Sequence, residues 1–293
     1  MQKNRTIYFL INLAFIICAL LFVNYNALLN EFHFNPLTTV IVLLLFLLIH
    51  LMRFARMYFI LLEDLIKPNR FLQLYIKTTF VSTLIPFKIG EIFKMYCYSI
   101  ETNNTMKGVV AVLIEKFFDA LVLCIFMIPY ALMNNSLSPL LIILMIFIIL
   151  ALLLYFSFNG TYQYLNRFLV CRGGGNKSLV LLKILEGAKK TYDETKQTLQ
   201  GRFILLLFLS LAAWGIESLL LTVVDSGNMN LNFNTVFSYI SDAFFGITNT
   251  LFTYYSCLCA IIFSIILLLI YGKKYFNLLK ERKKSYGKAR SNL

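Results

Sequence analysis

The chain has little charge and little of the chemistry on which most enzymes rely. Only 14% of its 293 residues are charged, it has two histidines, and its six cysteines include no CxxC pair. Cys18, Cys124, Cys257 and Cys259 fall inside apolar runs, while Cys97 and Cys171 lie outside them. Cys257 and Cys259, two residues apart, would point to different faces of a helix, and only His33 and His50 could complete a zinc site. Small apolar side chains in a reducing compartment are the simpler reading of these thiols. There is no HExxH, no Ser or Cys at recognisable spacing from a histidine, and no Gly-rich nucleotide loop; the run at Gly173–Gly175 lacks P-loop spacing and reads as a linker. No cofactor is expected. Among enzymes, these absences leave only a membrane-embedded transferase that would work through Asp or Glu.

Apolar length is what the chain has in abundance. Hydrophobic residues make up 59% and mean hydropathy is +0.76, outside the usage of soluble globular domains. At this length the expectation is a single membrane domain over residues 1–293. The net charge of +13 could suit nucleic acid, but the basic residues sit between apolar runs, where membrane topology and anionic lipid account for them. Lys3 and Arg5 before the run from Ile7 to Val23 imitate a signal peptide. The run is long and lacks a small-x-small cleavage site, so an uncleaved first helix is expected.

A span needs about 20 mostly apolar helical residues, which selects 6–23, 37–56, 107–133, 137–158, 203–224 and 254–271. With the N-terminus cytoplasmic, 24–36, 134–136 and 225–235 fall outside and contain no Lys or Arg. Segment 53–70, with Arg53 and Arg56, falls inside. So do a cytoplasmic loop at 159–202 with an amphipathic helix over 178–200, and a basic tail at 272–293. The assignment holds only if 71–100 and 235–252 each enter and leave by one side. The predicted fold is therefore an all-α polytopic membrane protein of six spanning helices and two re-entrant helical hairpins, with both termini cytoplasmic. The opposed hairpins suggest an inverted repeat. Irregular backbone at membrane depth survives only where protein buries it or water reaches it, so both hairpins are functional candidates.

The first hairpin contains Pro86, Lys88, Gly90, Glu91 and Lys94. Pro86 breaks the helix and disfavours helical Ile85, and Gly90 permits close backbone approach. The following half-helix would present free N–H groups and a positive dipole end, with Lys88 adding a full charge, an arrangement suited to an anion such as a lipid phosphate. Glu91 stands three residues from both lysines and could share a helix edge with them, either at a site or as a solvated salt-bridge ladder. Glu115 and Asp119 share one face of the next span at a depth where ionisable groups are costly. Lys88 or Lys94 is the expected partner of Glu115, in a site or as a structural ion pair. Trp214 and Glu217 sit in mid-span, with Glu217 either protonated or paired across the bundle. Ser238, Asp242 and Asn249 form a polar stripe on the second hairpin, with Gly246 near its tip, and serve function or interhelical adhesion equally well.

Pro86, Gly90, Glu91, Lys94 and the run Glu115-Lys116…Asp119 resemble the lysylphosphatidylglycerol synthase transmembrane-region family, also called the flippase-like domain family, a prokaryotic inner-membrane group. The family often has Arg where Lys116 stands. The resemblance covers nearly the whole chain and implies a lipid-translocating bundle with two re-entrant helices. In the family's best-known members this domain moves aminoacylated phosphatidylglycerol between leaflets and is fused to a soluble aminoacyltransferase. Only the membrane part is resembled here, so lipid synthesis is not expected. The family's second Pro/Gly-rich, Glu-containing motif is replaced by Asp242–Asn249. Together these readings imply flipping of an anionic phospholipid or lipid-linked glycan across the cytoplasmic membrane, with lipids as partners and no nucleic acid. The alternative is an accessory membrane protein that partners a lipid- or glycan-synthesis enzyme.

Overall fold

The structure is a computed structural model that describes residues 2–21, 36–64, 66–85, 89–133, 138–172, 176–226, 236–237, 239–240 and 255–270. The described elements are helical: α1 (Gln2–Leu21), α2 (Pro36–Ile60), a 3-10 turn (Leu62–Asp64), α3 (Pro68–Leu84), α4 (Ile89–Glu101), α5 (Thr105–Met133), α6 (Pro139–Arg172), α7 (Asn176–Leu199), α8 (Phe203–Ser226) and α9 (Tyr255–Ile270). Three stretches among them are long and apolar enough to cross a membrane: Leu37–Ile60, Pro139–Cys171 and Phe203–Asp225. Ile11–Leu21 and Tyr255–Ile270 are shorter apolar helices at two other expected spans, and α5 covers the sixth as one helix of 29 residues. Only 17% of the apolar window of α6 is buried inside the protein. Such an exposed apolar surface is untenable in water and ordinary against lipid chains. The chain is an all-α polytopic membrane protein.

The chain divides into two compact units. The first comprises residues 1–32, 67–93 and 252–293, and in it α1 packs on α3. Pro68 opens α3 at its first turn, where a missing N–H is harmless. The helix ends at Ile85, which is extended (φ −84°, ψ 120°) as the residue before a proline must be. At about 1.5 Å per residue, the 17 residues of α3 and 13 of α4 are each too short for a hydrocarbon core of about 30 Å. The two form a hairpin drawn tight at Gly90, where an added Cβ would lie 2.4 Å from Ser82 Cα and 2.9 Å from the Val81 carbonyl oxygen. Both obstacles are backbone, so the helices would have to part. Gly90→Ala is expected to destabilise by about 1–3 kcal/mol. Gly160→Ala, whose Cβ meets nothing within 4 Å among the described residues on the exposed side of α6, should leave stability unchanged or raise it slightly. Thermal unfolding in detergent distinguishes the two. Close to the hairpin, Phe93 stacks on Phe15 with ring centroids 4.5 Å apart, and the ammonium of buried Lys77 lies 5.9 Å from the Phe93 centroid.

The second unit, residues 33–66 and 94–251, holds the larger core. Its most extensive pairing is α2 with α8, and α5 packs on α6, α7 and α8. The helices α2 and α8 run antiparallel: Arg53 meets Glu217 at one level, and Glu63 meets Arg202 at 3.0 Å toward the end of α2. Arg202 also donates to the Phe59 carbonyl at 3.3 Å, a cation on the last carbonyls of a helix. Lys107 adds a bridge to Asp64 at 3.2 Å. Burial pushes the Asp64 carboxyl above the usual carboxylate range, against the pull of Lys107. Asn104 caps α5 through Oδ1, which accepts from the Met106 and Lys107 amides at 3.1 and 3.3 Å. Its Nδ2 donates to Glu194 of α7 at 2.9 Å.

The expected cytoplasmic loop at 159–202 contains more helix than the sequence suggested. Instead of stopping near residue 158, α6 continues to Arg172 and runs 34 residues, about 51 Å at 1.5 Å per residue. Polar and aromatic contacts carry it onward: Tyr192 of α7 stacks on Phe158 at 4.6 Å and accepts a hydrogen bond from Asn159 at 3.3 Å. Lys189 lies over both Tyr162 and Tyr192. Hydropathy falls off where α6 leaves the apolar window, but helix pairing with α7 does not.

Candidate functional site

The acids that the sequence placed inside spans converge in the second unit. Along α5, Glu115 and Asp119 lie about 15 and 21 Å from Thr105, and Glu217 lies about 21 Å along α8 from Phe203. Each has a cation. The Lys94 ammonium donates to both Glu115 oxygens, at 2.8 and 2.6 Å. The antiparallel turn at residues 102–104 places them opposite one another, and Gly108 makes the approach possible, since a Cβ there would lie 2.2 Å from Ser99 Oγ and 2.5 Å from Ser99 N.

Arg56 of α2 joins the three helices. Its Nη1 donates to Asp119 at 2.7 Å and to Ser210 of α8 at 2.9 Å, and its Nη2 donates to Glu115 at 3.3 Å. The residue is 1% exposed, and its Nε, also buried, makes no hydrogen bond among the described residues. One turn earlier, Arg53 pairs with Glu217 and stands 5.7 Å from the centroid of the Trp214 ring. Trp214 Nε1 in turn donates to Asp119 at 3.1 Å. The cluster therefore holds three cations (Arg53, Arg56, Lys94) against three acids (Glu115, Asp119, Glu217) and is formally neutral, with Arg53 and Asp119 half-buried and the other four buried. Paired charges with satisfied hydrogen bonds are the form in which ionised groups survive at such depth.

The sequence reading gives Arg53 and Arg56 a place in a cytoplasmic segment and no partner, and the structure supplies the partners. Both lie within the helix that runs on to Ile60, and they reach acids on α5 and α8. Positive charge at the end of an expected span satisfies the topology rule, and that sufficient explanation hid a second one. Their i,i+3 spacing on one face, a turn past buried His50, was the available signal. Of the two lysines expected for Glu115, Lys94 pairs with it, in a buried pair instead of a solvated ladder, while Lys88 lies outside the described residues. Glu91 is half-buried in the first turn of α4, where a carboxylate suits the helix dipole. Lys116 is exposed, although it follows buried Glu115 directly in α5. Pro86, Lys88, Asp242, Ser238, Gly246 and Asn249 lie outside the described residues.

The profile of the lysylphosphatidylglycerol synthase transmembrane region matches residues 9–241. The chain belongs to that family. The matched span contains every member of the buried cluster, from Arg53 to Glu217, so the lysylphosphatidylglycerol synthase transmembrane-region fold is the setting in which these charges are held. Neither the comparison with curated proteins nor that with solved structures found a match.

Proposed function

We propose that the protein moves an anionic phospholipid or lipid-linked glycan across the cytoplasmic membrane, with the headgroup phosphate handled by Arg56, Arg53 and Lys94. The observation that carries this reading is the neutral cluster of three cations and three acids held among the helices of a membrane protein. Bringing a phosphate to Arg56 would add negative charge to the cluster, while Glu115 keeps Lys94 and Asp119 keeps the Trp214 N–H. Arg56 Nε supplies a buried donor still able to bind a phosphate oxygen. Membership of a family whose name is that of a lipid synthase's membrane region supports a lipid as cargo. In this proposal the chain is a transporter and not an enzyme, and both termini face the cytoplasm, the side to which the basic segments assign them.

A leaflet-resolved assay with purified protein in liposomes tests the proposal. Labelled phosphatidylglycerol should change leaflet faster than in protein-free liposomes. Arg56→Lys retains the charge but loses the planar fork, and should slow movement by about tenfold or more, equivalent to ~1.4 kcal/mol. Wild-type protein that moves no lipid, or an Arg56→Lys rate equal to wild type, would contradict it. An accessory role with a synthesis enzyme is the second reading. It draws on the exposed apolar row Leu179, Val180, Leu181 and Ile184 at the start of α7, and co-purification of a synthase without lipid movement would favour it.

A further inference from the structure

A cavity of about 210 Å³ opens between α5 and α8 within the second unit, walled by Leu123, Phe126 and Pro129 on one helix and by Trp214, Gly215 and Ser218 on the other. Its lining demands an apolar occupant. The one hydroxyl among these six side chains, Ser218 Oγ, already donates to the Trp214 carbonyl at 2.8 Å. A trapped water needs two to four polar partners, and these six side chains do not provide them. Gly215 widens the space further, since a Cβ there would meet nothing within 4 Å among the described residues. Because α8 is long and apolar enough to span a membrane, the apolar material at this level is lipid hydrocarbon. At the ~30 Å³ that one water occupies in the liquid, the volume admits a length of one acyl chain and excludes a whole lipid.

We propose that this cavity binds one acyl chain of a membrane lipid, with Trp214 as the wall that the chain touches. The position of the indole gives the site its consequence. One part of Trp214 lines the cavity, while its N–H holds Asp119 at 3.1 Å and Arg53 lies 5.7 Å from its ring centroid. A chain in the cavity restrains the indole, and through it the carboxylate that Arg56 also holds. The site thus joins a hydrocarbon subsite to a buried ion cluster across one side chain. Its occupancy does not require transport, so either proposal can fail alone.

Trp214 is the only tryptophan of the chain, and its fluorescence reports the site directly. The full-length protein in liposomes of phospholipid brominated at mid-chain should lose most of its emission relative to unbrominated liposomes. Gly215→Leu places a side chain in the open space and should retain most of it. In detergent, a mid-chain brominated fatty acid should quench wild-type emission to a plateau at equimolar ligand, a measurement that needs no variant. Equal quenching of wild type and a folded Gly215→Leu, absence of quenching in wild type, or a fatty-acid titration without a plateau would each overturn the proposal. The first and third would reveal ordinary surrounding lipid at the indole, the second a cavity closed to lipid. A transport-deficient Lys94→Met/Glu115→Gln protein should show the wild-type quenching.

Discussion

Arg56→Ala is expected to destabilise the protein by about 3–5 kcal/mol, the range for removing one partner of a buried ion pair. The side chain is 1% exposed and is shared by Asp119, Glu115 and Ser210 on two other helices. Its loss leaves the Asp119 carboxylate with the Trp214 N–H as donor, and leaves Glu115 with Lys94 alone among these partners. It also leaves a hole among α2, α5 and α8, which adds a packing loss to the electrostatic one. The midpoint of thermal unfolding in detergent should fall by several degrees. Lys116→Ala, an exposed cation one residue from Glu115, should stay within about 0.5 kcal/mol of wild type. Similar midpoints for the two variants would mean that the cluster does not hold the helices together.

The second large effect concerns Lys94 and Glu115. Lys94→Met strands one of the negative charges of the cluster, on a carboxylate that is 6% exposed, and Glu115→Gln strands an ammonium that is 4% exposed. Each substitution alone should destabilise by about 3–5 kcal/mol. Together they remove one cation and one acid and keep the cluster neutral, and the amide introduced by Glu115→Gln can still accept from Arg56. The double variant should therefore be more stable than the sum of the single effects predicts, with a coupling on the order of 2–3 kcal/mol. The cycle is measured by unfolding of the four proteins under one condition. Strict additivity would show that the 2.6 and 2.8 Å contacts of this pair carry no net interaction.

What the sequence disclosed divides along a physical line. Apolar length and the break at Ile85–Pro86 are local properties, and they located the helices and the tight α3–α4 hairpin closed by Gly90. The intramembrane acids were legible because each is costly alone, so Glu115, Asp119 and Glu217 announced a need for partners. The partners were only partly legible. Lys94 follows from a short antiparallel turn, whereas Arg53 and Arg56 come from 59 and more residues upstream, across the pairing of α2 with α8. Side-chain periodicity cannot report which helices are neighbours. The same limit applies to α6, which runs on beyond residue 158 where Phe158 stacks on Tyr192 of the next helix. Lys116, named through the family-like run Glu115-Lys116…Asp119, is exposed on α5 while Glu115 is buried.

Whether the buried ion cluster is where a lipid headgroup is handled is tested most directly by the Lys94→Met/Glu115→Gln protein. Its folding is checked first by thermal unfolding, and its rate of phosphatidylglycerol movement between leaflets is then compared with wild type in the same liposomes. The prediction is a folded protein whose rate falls by about tenfold or more, a barrier increase of at least ~1.4 kcal/mol. A folded double variant that moves lipid at the wild-type rate would contradict the central claim and leave the cluster a structural fastening among α2, α4, α5 and α8.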